Sequence, residues 1–326
     1  MAAGHKTKAG VMAGILTAVL CALLCGCSQA PLLSQREIVH SVFFQTQGRE
    51  TLALLLLADQ PKEQEGEAGY KTVVGVGQTP ARALEQAESR LDGQVFYGLM
   101  DMAVLPAEGD WQATTELGRL LYEKTRPAPQ FTLFLMERVP RKQLEETAAD
   151  IYEKMENALA KYGIRNGLQL MFSAEKECAL PVWQGTGYGF VFLQKDRPNT
   201  VLKETLVAQL AAVLCGQADR FVCDFSHGTA SVQTKVMVQH RVRENGNAAL
   251  YLTLDDPDLQ ELGEAQRRED QLQQALRDEL EQAFGQITAG CCVQGYDPLR
   301  MSVWFWAACG PTESLPQPGL EVSFEA

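Results

Sequence analysis

The sequence is poor in the residues that most site chemistry uses. Its 326 residues include four histidines, at positions 5, 40, 227 and 240, separated from one another in sequence, and no Cys-x-x-Cys. The spacings that hold zinc are therefore missing, and no metal or other cofactor is expected. Cations are scarce too: 29 Lys and Arg stand against 41 Asp and Glu, a formal net charge of −12. Such a surface disfavours nucleic acid and anionic lipid headgroups as partners. No apolar run is long enough to span a bilayer comfortably. The longest, Val11 to Leu24, carries no charge but falls short of the ~20 residues a spanning helix needs.

What that short run does resemble is the apolar part of a secretory signal. It follows His5, Lys6 and Lys8 and ends in Leu24-Cys25-Gly26-Cys27. A large residue, two small ones and a cysteine stand in the order that a lipoprotein signal peptidase requires ahead of a diacylated cysteine. Residues 1–26 thus read as a lipoprotein signal peptide recognised through Leu24, Cys25 and Gly26, with Cys27 as the lipidated first residue and 27–35 as a tether. The competing readings are an uncleaved anchor helix and an ordinary signal peptide with a chance cysteine. A diacylglycerol offers two chains, and at about 0.8 kcal/mol per buried methylene the attachment is close to permanent. Losing Lys6 and Lys8 takes the formal charge to about −14. Outside the cytoplasm Cys178, Cys215, Cys223, Cys291, Cys292 and Cys309 can pair. Structural disulfides and buried thiols both remain open, although Cys291 and Cys292 are too close in sequence to bond to each other without backbone strain.

The whole sequence is 46% apolar, enough for two cores or three. Strands are expected at Ile38–Gln45 and Thr51–Ala58 around the turn Gln47-Gly48, and at Tyr70–Val76 after an exposed loop over Pro61–Gly69. Thr79 caps a helix with Pro80 in its first turn and Ala83, Leu84, Ala87 and Leu91 on one face. A strand at Met100–Leu105, a helix at Trp111–Lys124, a strand at Phe131–Met136 and an amphipathic helix over Arg141–Tyr162, stopped by Gly163, continue the alternation. The second half reads differently. Strands at Gln169–Phe172, Gly187–Leu193, Phe221–Asp224, Ala230–Arg241 and Ala248–Thr253 surround a helix at Leu202–Leu214. A helix at Glu264–Ile287, a strand at Met301–Ala308 and a weakly ordered Pro-rich tail end the chain. The expected class is α+β: a mixed α/β region over 36–200, then a mostly antiparallel sheet with a long helix over 201–326.

Catalytic patterns are weak. Gly75 and Gly77 begin like a phosphate loop but lack the third glycine, and Gly185, Gly187 and Gly189 lead into a strand with no Lys-Ser or Lys-Thr after them. Asp224, Ser226 and His227 contain the residue types of a hydrolase triad, yet neighbours on a strand point to opposite faces. His40 stands alone in its strand, and Cys178 and Cys223 have no base nearby in sequence. Trp304, Phe305 and Trp306 form an aromatic cluster whose strand alternation would put the two tryptophans on one face, either as core or as a surface for a membrane protein.

The order of these pieces resembles the Ger(x)C family, the lipoprotein C subunits of nutrient germinant receptors in endospore-forming bacteria. The similarity is carried by Arg36-Glu37-Ile38 after the tether, by the step Gly75-x-Gly77-x-Thr79 into a helix with Ala83 and Leu84, and by the turn Tyr97-Gly98. The apolar strands Met102–Leu105 and Phe131–Met136 follow in the family's order, and Leu180-Pro181, Gly189–Phe192 with Lys195, and Glu204-Thr205 match more loosely. The chain departs from the pattern at Leu99, at Tyr122-Glu123 and in lacking Trp-Asp beside the cysteine, as a divergent member would. The resemblance implies a non-enzymatic protein on the outer face of the inner spore membrane, beside integral membrane A and B subunits. Two other classes remain: a solute-binding lipoprotein of a transporter, which requires a cleft between two similar lobes, and a cell-envelope enzyme whose site assembles only in space.

Overall fold

The computed structural model describes residues 36–59, 69–125, 131–163, 177–185, 188–194, 200–202, 205–232, 236–243, 247–261, 268–291, 297, 299–310 and 318–325. Leu24, Cys25, Gly26 and Cys27, the strand expected at Gln169–Phe172 and nearly all of the loop expected at Pro61–Gly69 lie outside the described residues.

β1 (Arg36–Gln47) and β2 (Glu50–Ala58) form an antiparallel hairpin around Gly48, whose φ of +65° suits glycine. β3 (Tyr70–Gly77) extends it. The centres of β1 and β2 are buried almost without a break, Val42–Phe44 and Leu52–Leu57; this is the pattern of a sheet covered on both faces. Nine strands make up that sheet, in the order β3-β2-β1, then β5 (Met102–Pro106), β6 (Thr132–Met136), β7 (Glu177–Trp183), β8 (Tyr188–Gln194) and β9 (Thr200–Leu202). β4 (Gln94–Phe96) runs parallel to the start of β1, and β5 takes over the same edge from Ser41. The hand-over falls at His40, where the register of β1 against β2 also slips.

Alternation sorts the sheet's side chains between two layers. Phe44, Leu55, Leu105 and Leu133 pack on α1 (Pro80–Glu88) and α2 (Trp111–Thr125). Phe43, Leu54, Val104 and Phe134 pack on α3 (Arg141–Tyr162) through Leu144, Ala148, Tyr152 and Met155. Gly163 ends α3 in the left-handed conformation, as its position suggested.

Beyond β8 a second core forms. Phe190 and Phe192 meet α4 (Thr205–Leu214) and the inner face of α5 (Glu269–Cys291), with Leu272, Leu276, Leu280 and Phe284 buried. Two small sheets close it. β10 (Phe221–Phe225), β11 (Gly228–Val232) and β14 (Asp258–Glu261) are antiparallel; in the other, β12 (Val236–Val242) pairs antiparallel with β13 (Ala248–Asp255), and β15 (Gly319–Glu325) runs parallel to β13. The class is α+β, as expected. Near Gly163 the two cores join: Arg220 donates to the Ala160 carbonyl at 2.6 Å, and Tyr188 donates to Gln209 at 3.0 Å.

Several expectations in this half need correction. The stretch Ala230–Arg241 is two strands in different sheets, β11 and β12. Leu202 ends a strand, so the helix expected from there begins at Thr205, and α5 continues past Ile287 to Cys291. The end of the chain holds a strand, with Leu320 and Val322 buried. Met301–Ala308 is not a strand but most of a helix, α6 (Met301–Cys309). The Asp297 carboxylate accepts the Met301 N–H at 2.8 Å and also the N–H and hydroxyl of Ser302. At the other end Gly310, at φ +86°, returns its N–H to the Trp306 carbonyl at 2.8 Å. Satisfied ends outweigh the strand preference of Val303–Trp306.

Candidate functional site

Glycines 75 and 77 serve packing. A methyl at Gly75 would lie 2.0 Å from the Ala83 carbonyl oxygen and 2.4 Å from the Ala87 nitrogen, and one at Gly77 would lie 2.6 Å from the Ala83 nitrogen. The glycines thus let β3 and α1 touch backbone to backbone, and the helix fills the space a phosphate would need. Thr79 accepts the Arg82 N–H at 3.3 Å to start that helix, and Gln86 reaches back to the Val76 N–H at 2.5 Å. The opening Arg36-Glu37-Ile38 is similarly engaged: Arg36 lies over the Phe96 ring at 5.0 Å, Glu37 pairs with Lys71 at 2.5 Å, and Ile38 pairs with Phe96 across the strands.

His40 is not alone. At the register slip of β1 its ring meets Tyr70 and Tyr152 edge-on, with centroids 5.7 and 6.1 Å away, and the two tyrosines stand 5.4 Å apart. Tyr152 donates to the Asp101 carboxylate at 2.8 Å. Burial pushes the Asp101 carboxyl above its ordinary range, against the lowering effects of the Tyr152 hydroxyl and of His40. Burial also raises the Tyr152 hydroxyl. Three rings and an acid suggest an ammonium cage, but rings in direct mutual contact leave no room for a cation. The Asp101 backbone instead joins β1 to β6, donating to the His40 carbonyl at 3.2 Å and accepting from Thr132 at 2.7 Å. The cluster fastens α3 to the sheet.

Ser226 and His227 do face each other, contrary to the strand argument, because they are the two turn residues between β10 and β11. The Ser226 hydroxyl stands 2.9 Å from Nδ1 of His227 and in short contact with the Glu279 carboxylate. Glu279 also accepts the Ser226 N–H at 2.9 Å. A triad needs the acid on the far nitrogen of the imidazole. Here the acid takes the serine proton, so the histidine cannot act as base toward that oxygen, and Asp224 on the strand takes no part. The arrangement pins a hairpin turn to α5. Cys223 is buried, and burial beside Asp224 and Glu279 raises its thiol, which opposes reactivity. Cys309 is an exposed thiol; the side chains of Cys178, Cys291 and Cys292 lie outside the described residues.

An open depression of about 560 Å³ is lined by Asp256, Asp258, Glu261 and Glu269. Among the described residues no group of three His, Cys, Asp or Glu side chains is arranged to hold a metal ion, and no helix is long and apolar enough to cross a membrane.

The feature least explained by folding is α6. The strand reading put Trp304 and Trp306 together; on a helix two residues are about 200° apart. Trp304 therefore turns inward to stack on His240, centroids 5.4 Å apart, and Phe305 packs beside it on the second core. The His240 Nε2–H donates to the Leu299 carbonyl at 3.1 Å and fixes the ring. Trp306 and Val303 point outward, 62% and 69% exposed. This surface, rather than a cavity, is the candidate functional site. Comparison of the chain with protein-family models, with curated proteins and with solved structures finds no match.

Proposed function

We propose that this chain is a lipid-anchored, non-catalytic subunit of a membrane assembly: the C subunit of a nutrient germinant receptor, held through Cys27 on the outer face of the inner spore membrane beside integral A and B subunits. The observation that carries the reading is Leu24-Cys25-Gly26-Cys27 after a charge-free apolar run, followed by a short tether into Arg36-Glu37-Ile38. The step Gly75-x-Gly77-x-Thr79 adds support, since its glycines and threonine are each needed for one strand–helix junction. The exposed apolar face of α6 supplies a surface for contact at the membrane. Tethering confines the folded part close to its partners, so a small interface is enough for assembly.

A solute-binding protein would have two similar α/β lobes around a cleft. The nine-stranded sheet and the pair of three-stranded sheets are unlike each other, which disfavours that reading. The enzyme alternative has Ser226 and His227 as its best residues, and there the carboxylate is on the wrong partner. The anchor is tested by Cys27→Ala. The variant should move from the membrane to the soluble fraction, with its N-terminal peptide lacking diacylglycerol by mass spectrometry; membrane retention at the wild-type level would contradict the proposal.

A further inference from the structure

Between Met301 and Cys309 there is no charged residue, in a chain whose formal charge is −12. Val303, Trp306 and Ala307 fall at i, i+3 and i+4, on one face of the helix, and all three are exposed. Most exposed apolar side chains are scattered singly; these three form a stripe on a helix that is held rigidly. Met301 is buried beneath it, Trp304 is clamped on His240, and both helix ends are capped within the chain. The outward face is therefore a fixed surface and not a frayed segment.

We infer that α6 lies in the bilayer interface, with Val303 and Trp306 set at the boundary between headgroups and acyl chains. The inference rests on the lipid anchor proposed above. From Cys27 to Arg36 the tether has a reach of about 30 Å, against a radius of gyration near ~19 Å for a chain of this size. So short a link keeps the folded part within about 30 Å of the bilayer, near enough for one of its faces to rest there. An uncharged stripe with tryptophan at its centre suits that position better than the acidic remainder, because indole rings favour the headgroup level. At about 1.5 Å per residue the helix is ~14 Å long, enough to lie in the interface and far too short to span it. The surrounding acidity makes the preferred surface zwitterionic rather than anionic.

The test uses the full lipidated protein in vesicles of phosphatidylcholine, with no other protein present. Flotation of the protein with the vesicles reports the anchor by itself. Vesicles with brominated acyl chains then report α6: they should quench a blue-shifted component of the tryptophan emission, which Trp306→Phe removes. Val303→Asp, at an exposed position, should weaken the quenching while far-ultraviolet circular dichroism stays as in wild type. Flotation without quenching, or quenching that survives Trp306→Phe, overturns the bilayer as occupant and assigns the face to a protein. Failure to float overturns the anchor on which the inference rests.

Discussion

At the scale of single residues, the positions with the sharpest roles are those where nothing larger fits or no proton is spare. Gly75→Ala places a methyl inside the backbone of α1, and overpacking of this kind costs about 1–3 kcal/mol. The urea midpoint should fall accordingly with an unchanged m value; an unaltered midpoint would show that β3 and α1 are not in backbone contact. Asp101 offers a pH signature. Its carboxyl is raised, by burial above all, so the folded state favours the protonated form. The stability that proton contributes is complete below the ordinary aspartate pKa and is lost as pH rises through the raised folded value. Asp101→Asn is neutral throughout, so its stability relative to wild type should improve from about pH 3 to about pH 7; a constant difference would contradict the assignment. Neither His40 nor Ser226 could be placed from sequence. The partners of His40 lie on β3, on α3 and just before β5, and the contact of Ser226 with His227 depends on a two-residue turn that a period-two reading passes over.

Elements were legible where their period was long enough to show. The hairpin β1–β2, the capped start of α1 and the 22 residues of α3 carry enough alternation or helical spacing to be read directly. α6 has nine residues, and Val303-Trp304-Phe305-Trp306 are strand formers, so composition outweighed the capping signs at Asp297 and Gly310. β15 was hidden behind a proline-rich stretch; what makes it a strand is the register offered by β13, seven pairings far away in sequence. Both can be probed. Asp297→Ala removes the acceptor for the first turn of α6, at a cost of about 1 kcal/mol. Amide exchange of Ser302–Phe305 should accelerate while that of α3 stays as it was, and equal protection in the variant would mean that Asp297 does not cap the helix.

For the molecule as a whole, the α+β class followed from the alternation of the first half and its loss in the second. That the halves share a junction at β8 did not, because Phe190 and Phe192 read as ordinary sheet residues until α4 and α5 are placed against them. The proposed function rests on the N-terminus and on the Ger(x)C-like order of pieces, not on a pocket. The central claim is one of partnership. Its most direct test is affinity purification of the tagged, lipidated protein from detergent-solubilised spore membranes, followed by identification of what co-purifies. Two integral membrane subunits of a germinant receptor are the predicted companions; transporter components, or no membrane partner at all, would contradict the account.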